Sequence, residues 1–200
     1  MDERPFVLGL AGTPGAGKTT LTTRLRERRP RARVVYYDKY QPITRMSEAQ
    51  VRDWFARGGD PNEVDHHDLV LDLRRETRGQ HGAIARPLLI FETPFGRLHR
   101  ETGAFIDFLV WIDTPLDLAL SRAILAFTRI ARAETSPKAA RDFILWQEQY
   151  MTNYPLVRDM YQAQRERIAP TADLVIDGTR ATDALADLVE AALAEQGIRG

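Results

Sequence analysis

Gly12, Gly17, Lys18 and Thr19 have the spacing G-x-x-x-x-G-K-[ST] inside FVLGLAGTPGAGKTTL, residues 6–21. The chemistry open to this pattern is the holding of a polyphosphate. Backbone N–H groups must turn inward around the anion, which asks for glycine where a side chain would block the approach or φ must be positive. The helix that follows presents free N–H groups and the positive end of its dipole to the same charge. Lys18 can reach the terminal phosphates, and the Thr19 hydroxyl can ligate a magnesium ion held on them. Gly12, Thr13, Pro14, Gly15, Ala16, Gly17, Lys18, Thr19 and Thr20 are therefore the expected contacts to a nucleoside triphosphate. A chance match would lack the apolar run before the glycines and the helix-forming segment after them.

Two carboxylates lie where such a loop would use them. Asp38 stands just past Val34-Val35-Tyr36-Tyr37, and Glu92 just past the apolar run 87–91. In open parallel sheets the C-terminal strand ends line the ligand crevice, so both acids have a functional position. Thr19, Asp38 and Glu92 together form the expected magnesium set. Arg122, Arg129 and Arg132 fall within ~80° of arc on a helical wheel. One basic face is ordinarily just solvated, but beside a triphosphate Arg129 and Arg132 become lid candidates that offset charge on a moving phosphoryl group. The loop TPFGRLHRETG carries Arg97, His99 and Arg100, and either closes over a substrate or is merely solvated. His66 and His67 are adjacent, point to different helix faces and do not form a metal pair.

The elements that must position these groups are legible in the hydrophobic pattern. Continuous apolar runs at 5–11, 34–37, 87–91, 108–112 and 173–177 read as buried parallel strands. Between them, helices are expected from Lys18 to Arg29, over 47–57 with Ser47 as cap, over 64–78, from Pro115 onward, over 137–152 and 155–168 divided at Pro155, and over 182–196. Arginines 24, 26, 28 and 29 read as a solvated outer face. Alternation of strands and helices implies an α/β fold, a five-stranded parallel sheet with helices on both faces. A single domain over 1–200, with a small helical lid at about 126–140, accounts for the length. The 28 basic and 28 acidic side chains cancel, which argues against nucleic-acid and anionic-membrane partners. Cysteine is absent, excluding thiolate chemistry. With neither a signal-like N-terminus nor a long apolar span, a cytoplasmic protein is expected.

Taken in order, YYDKYQP at 36–42, VDHHD at 64–68, LIFET at 89–93, WIDTPLDLALSR at 111–122 and ADLVIDGT at 172–179 resemble the uridine kinase-like branch of the P-loop kinases, nicotinamide riboside kinases included. The resemblance implies the three-layer P-loop NTPase fold, ATP and Mg2+, and a small-molecule hydroxyl acceptor. It implies that Asp38 takes the proton of that hydroxyl, that Asp65 binds hydroxyls of a ribose or similar polyol, and that Glu92 supports magnesium. The turn 177–179 is placed near adenine on the same basis; Tyr40, Arg97 and Arg122 are the remaining expected substrate contacts. The chain departs from uridine kinases in lacking the aromatic and histidine hairpin that reads a pyrimidine. It also has Thr93 for the glycine of F-E-G, and Ala123 after Arg122 where an arginine pair is usual.

Three function classes remain open on the sequence: a small-molecule kinase, an NTP-hydrolysing regulatory protein without an acceptor, and a nucleic-acid end kinase. The absence of N-K-x-D and of D-x-x-G after the third strand disfavours a guanine-nucleotide switch, and the lack of a basic stretch disfavours the third class.

Overall fold

All six residues of Phe6–Ala11 (β1) are buried, and so are all six of Leu88–Thr93 (β3). A computed structural model of the chain describes residues 4–40, 46–78, 87–133 and 136–198. With Arg33–Tyr36 (β2), Phe108–Asp113 (β4) and Leu174–Asp177 (β5), these strands form one parallel sheet in the order β2-β3-β1-β4-β5. Successive side chains leave a strand on opposite faces, and each face has its own core. Leu8, Leu10, Ile90 and Val110 pack under Lys18–Arg28 (α1) and Thr182–Glu195 (α7), which supply Leu21, Leu25, Val189 and Leu193. Val7, Leu89, Phe91 and Trp111 pack on the other face. There they meet Trp54 of Glu48–Ala56 (α2), and Leu69 and Leu73 of His67–Arg78 (α3). The expected five-stranded parallel sheet covered on both faces is the observed one.

Several expectations need correction. β3 runs on through Glu92 to Thr93, so Glu92 lies inside a central strand, opposite Leu10 on one side and Tyr36 on the other. The arginines of α1 are not simply solvated: Arg24 and Arg28 pair with Asp183, and Arg29 with Glu190, clamping α1 to α7. After the short helix Arg100–Gly103 (α4) and the long Leu116–Ala133 (α5), residues Pro137–Ile168 form one continuous helix (α6) where two were expected. Pro155 removes one N–H and crowds the carbonyl of the preceding turn, a cost of about 3 kcal/mol in an isolated helix. Packing against α5 on the same side compensates. Phe127 of α5 lies 4.1 Å from Trp146, centroid to centroid, and the Tyr154 hydroxyl donates to the Leu116 carbonyl. The stretch 126–140 expected as a lid comprises the end of α5 and the start of α6, with residues 134 and 135 outside those described.

Arg97 does not reach the ligand edge of the sheet. Its guanidinium pairs with Asp173 at 2.7 Å and donates to the carbonyls of Thr171 and Asp107. Asp107 and Asp173 immediately precede β4 and β5, so Arg97 ties down the N-terminal edge, opposite the phosphate loop. Asp173 also accepts from the Leu109 N–H at 2.6 Å.

His99 is buried as the cap of α4, where its Nδ1 accepts from the Thr102 N–H, and its ring lies on His66 with centroids 4.1 Å apart. His66 Nδ1 faces the Val64 carbonyl at 2.7 Å and must carry the proton, which leaves Nε2 to accept from the Tyr37 hydroxyl at 3.1 Å. Burial pushes both imidazoles below their ordinary value, and His66 adds to the effect on His99. Asp65 and Glu101 near His66, and Asp60 and Glu101 near His99, oppose the shift without cancelling it.

Arg97→Ala should cost about 1–2 kcal/mol of stability through its lost hydrogen bonds and leave any turnover unchanged; a raised acceptor KM would return Arg97 to the site. The histidine pair makes a second expectation. With folded-state values lowered, its stabilising contribution is full above about pH 6.5 and is lost as the pH falls through the lowered values. Melting temperatures should drop on acidification in that range, and His99→Gln should flatten the drop; an unaltered slope would exclude the pair as its source.

Candidate active site

The segment from Gly12 to Gly17 crosses from the end of β1 to the start of α1. It is closed by a hydrogen bond from the Ala16 N–H to the Thr13 carbonyl. Gly15 has φ 80°, and a Cβ there would lie 2.0 Å from the Ala119 carbonyl oxygen, so the loop can rest on α5 only because this residue has no side chain. Gly17, at φ 102°, opens α1. The helix N-terminus, with no side-chain cap, is left free to meet an anion. Ala16 and Thr13 are buried, and the Ala16 carbonyl accepts from Thr114, so both build the loop from beneath.

Lys18 donates to the carbonyls of Gly12 at 3.0 Å and Thr13 at 3.2 Å. Burial pushes its ammonium below the ordinary lysine value, while the charges of Glu92 and Asp38 pull it back. Glu92 is 4 % exposed. One of its oxygens accepts from Thr19 at 2.8 Å and the other from Thr22 at 3.3 Å. Burial raises its carboxyl above the usual range, against Thr19, Lys18 and Thr22, which favour the charged form. Thr22 lies outside the phosphate-loop pattern; its i+3 spacing from Thr19, which places both hydroxyls on the same face of α1, is its signal in the sequence.

A cavity of about 870 Å³ opens over this cluster. Pro14, Gly15, Gly17, Lys18, Thr19 and Thr20 line its phosphate end. Asp38, on the turn Tyr37–Lys39 after β2, and Glu92 line its middle. Arg122 and Arg129 come in from α5. Arg122 also donates to the Gly178 carbonyl in the turn after β5. At the other end stand Trp54 and Phe55 of α2, Phe95, and a face of α6 that includes Tyr150, Tyr161 and Gln164. That face is held to the sheet one residue later. Arg165 makes two hydrogen bonds, of 2.7 and 2.8 Å, to Asp113 at the end of β4, and holds that carboxyl below the usual carboxylate range.

Four expected site residues lie elsewhere. Tyr40 is turned onto Asp72 of α3. Asp65 is exposed and caps α3 by accepting from the His67 N–H at 2.9 Å. Arg132 is exposed on α5 beyond the lining residues, and Arg97 is at the opposite edge. The loop holding Arg97 divides its work, since Pro94 and Phe95 line the cavity while Arg97 and His99 serve the fold. In the sequence Trp54 and Phe55 are ordinary apolar positions of a helical stretch, and Tyr150 is one of several spaced aromatics; nothing local marks them as cavity walls.

The donor set suits magnesium. Thr19 and Glu92 touch, and Lys18 feels the charges of both Glu92 and Asp38. Among the described residues no three His, Asp or Glu side chains gather into a cage. A cation here would take most of its ligands from phosphate oxygens and water, as magnesium prefers.

Solved structures share this architecture. A shikimate kinase from Aquifex aeolicus vf5 superposes with a TM-score of 0.50 at 13% identity, over 98% of this chain and 100% of that one. A shikimate kinase from Acinetobacter baumannii in complex with shikimate gives 0.50 at 17% identity, over 98% and 97%. No protein-family model matches the chain, and no curated protein does. At these identities the likeness is one of fold: the chain has the P-loop NTPase fold in the form that shikimate kinases share.

Proposed function

We propose that this chain is an ATP-dependent kinase that transfers the γ-phosphoryl group to a hydroxyl of a small molecule. The observation that carries the reading is the continuity of one cavity from the phosphate loop, past Asp38 and Glu92, into a walled space with room for an acceptor. A hydrolysing switch has no use for that space. The uridine kinase-like segments around Asp38 and Glu92 support the same catalytic frame, although the acceptor end departs from that branch. The neutral charge balance supports a small molecule over a nucleic acid, and the reaction fits the cytoplasm, where ATP is made available with magnesium. Among the described residues no helix is long and apolar enough to cross a membrane.

In this mechanism Lys18 exchanges the carbonyls of Gly12 and Thr13 for oxygens of the β- and γ-phosphates. Thr19 and Glu92 would hold a magnesium ion, which would supply neutralisation of phosphate charge when bound. Asp38 orients the acceptor hydroxyl and takes its proton as the oxygen attacks phosphorus and the bond to ADP breaks. Arg129, which lines the same cavity from α5, balances charge on the moving phosphoryl group. Arg122 steadies the β5 turn beside the nucleotide.

Asp38→Asn should leave ATP affinity nearly intact and lower transfer by about 10²–10⁴-fold; undiminished turnover would remove Asp38 from the base role. Glu92→Gln should raise the magnesium concentration needed for half-maximal activity with little change in acceptor KM. An unchanged magnesium requirement would release Glu92 from the metal. Hydrolysis of ATP at one rate with every acceptor offered and with none would point instead to a regulatory ATPase.

A further inference from the structure

The end of the cavity beyond Asp38 has a chemical character of its own. Trp54, Phe55 and Phe95 form one wall, with Trp54 and Phe55 centroids 4.9 Å apart and Phe95 set edge-on to both Trp54 and Tyr37. Val157, Met160 and Tyr161 form the other, on a single face of α6 at positions i, i+3 and i+4. The cations lining the cavity among the described residues are Lys18, Arg122 and Arg129, from the loop and α5, where the triphosphate needs them. Neither α2 nor α6 brings a cation to this end. The acids that face it, Asp38 and Glu92, would repel a second negative charge. A carboxylate here would be desolvated with no partner, whereas a flat ring would gain contact with aromatic faces on both sides.

One polar side chain interrupts the apolar surface. Gln164, at i+7 from Val157 on the same face of α6, has its Oε1 buried and without a hydrogen-bond partner, the one such side-chain atom among the described residues. The neighbouring Tyr161 phenol is already engaged with Tyr150. A buried carbonyl oxygen left unmet is destabilising, and a turn of the amide toward the cavity its side chain lines lets a ligand N–H or O–H satisfy it.

Resting on the kinase reading for Asp38, we propose that the acceptor is an uncharged ring compound, held between the α2 and α6 walls and selected by an N–H or O–H on its ring that donates to Gln164. Shikimate, a carboxylate, is then no substrate. The test titrates the protein, loaded with magnesium and ADP, with matched compounds by calorimetry. Uridine is compared with its 6-carboxylate orotidine, and with 3-methyluridine, which lacks the ring N–H. Pyridoxine is compared with 4-pyridoxate, and shikimate and glycerol are added. Parallel reactions with ATP are read by product mass.

The neutral ring compounds should bind at least ~10-fold more tightly than their carboxylated partners, and methylation of the ring N–H should cost about 10-fold. Gln164→Leu should abolish the methylation penalty, and Gln164→Glu, which still accepts a hydrogen bond, should retain it. Equal or tighter binding of the carboxylates or shikimate, or no binding of any ring compound, overturns the acceptor class. A methylation penalty that survives in Gln164→Leu overturns the role of Gln164. Binding of the neutral rings without any phosphorylated product upholds the ligand class and removes the kinase reading. Transfer to glycerol or shikimate alone upholds the kinase reading and removes the class.

Discussion

A carboxylate in the middle of a buried parallel strand is tolerated only when its charge is met, and the site is arranged around meeting the charge of Glu92. Its two oxygens take the hydroxyls of Thr19 and Thr22, one turn apart on α1, and Lys18 supplies the countercharge. That contact fixes how α1 lies across β1 and β3, and so where the helix N-terminus points. It also joins the phosphate loop to the strand carrying the acid proposed for the metal. Apolar residues in these four places would suit the core better, so the presence of the polar ones marks a demand other than stability.

The donor half of the site was legible in sequence because its parts are local. The loop, Lys18 and Thr19 are contiguous, and Asp38 and Glu92 each stand at the polar end of an apolar run. The strands were legible for a related reason: sheets covered on both faces leave nearly unbroken hydrophobic segments, and all five runs became strands. Local pattern misleads where a residue's partner is distant. Arg97 resembled a substrate arginine until Asp173, far along the chain, claimed it. The α1 arginines looked solvated until α7 was laid beside them.

The acceptor end was illegible for the same reason in stronger form. Trp54, Phe95 and Gln164 each fit an ordinary helical or loop pattern, and only the tertiary fold brings them to one place. Pro155 misled because local rules divide the helix there, while the aromatic packing of α6 on α5 keeps it whole. Asp65 and Tyr40, carried over by family likeness, are absorbed into capping and bracing α3. Lys18, Thr19, Asp38 and Glu92 stay together at one cavity while the surrounding residues are reassigned, as expected where function resides in a few side chains set on a shared fold.

The pairing of Arg165 with Asp113 has a geometric consequence. Arg165 is the next residue after Gln164, and its two hydrogen bonds pin that point of α6 to the tip of β4. The backbone that carries Gln164 is thereby tied to the same sheet whose β2 end carries Asp38. On the proposed reading the two residues would act as the jaws of a gauge. A compound would qualify by its span, when the group that meets the amide and the hydroxyl that meets the acid are separated by the right length. A shorter or longer relative with the same functional groups would touch one jaw and miss the other.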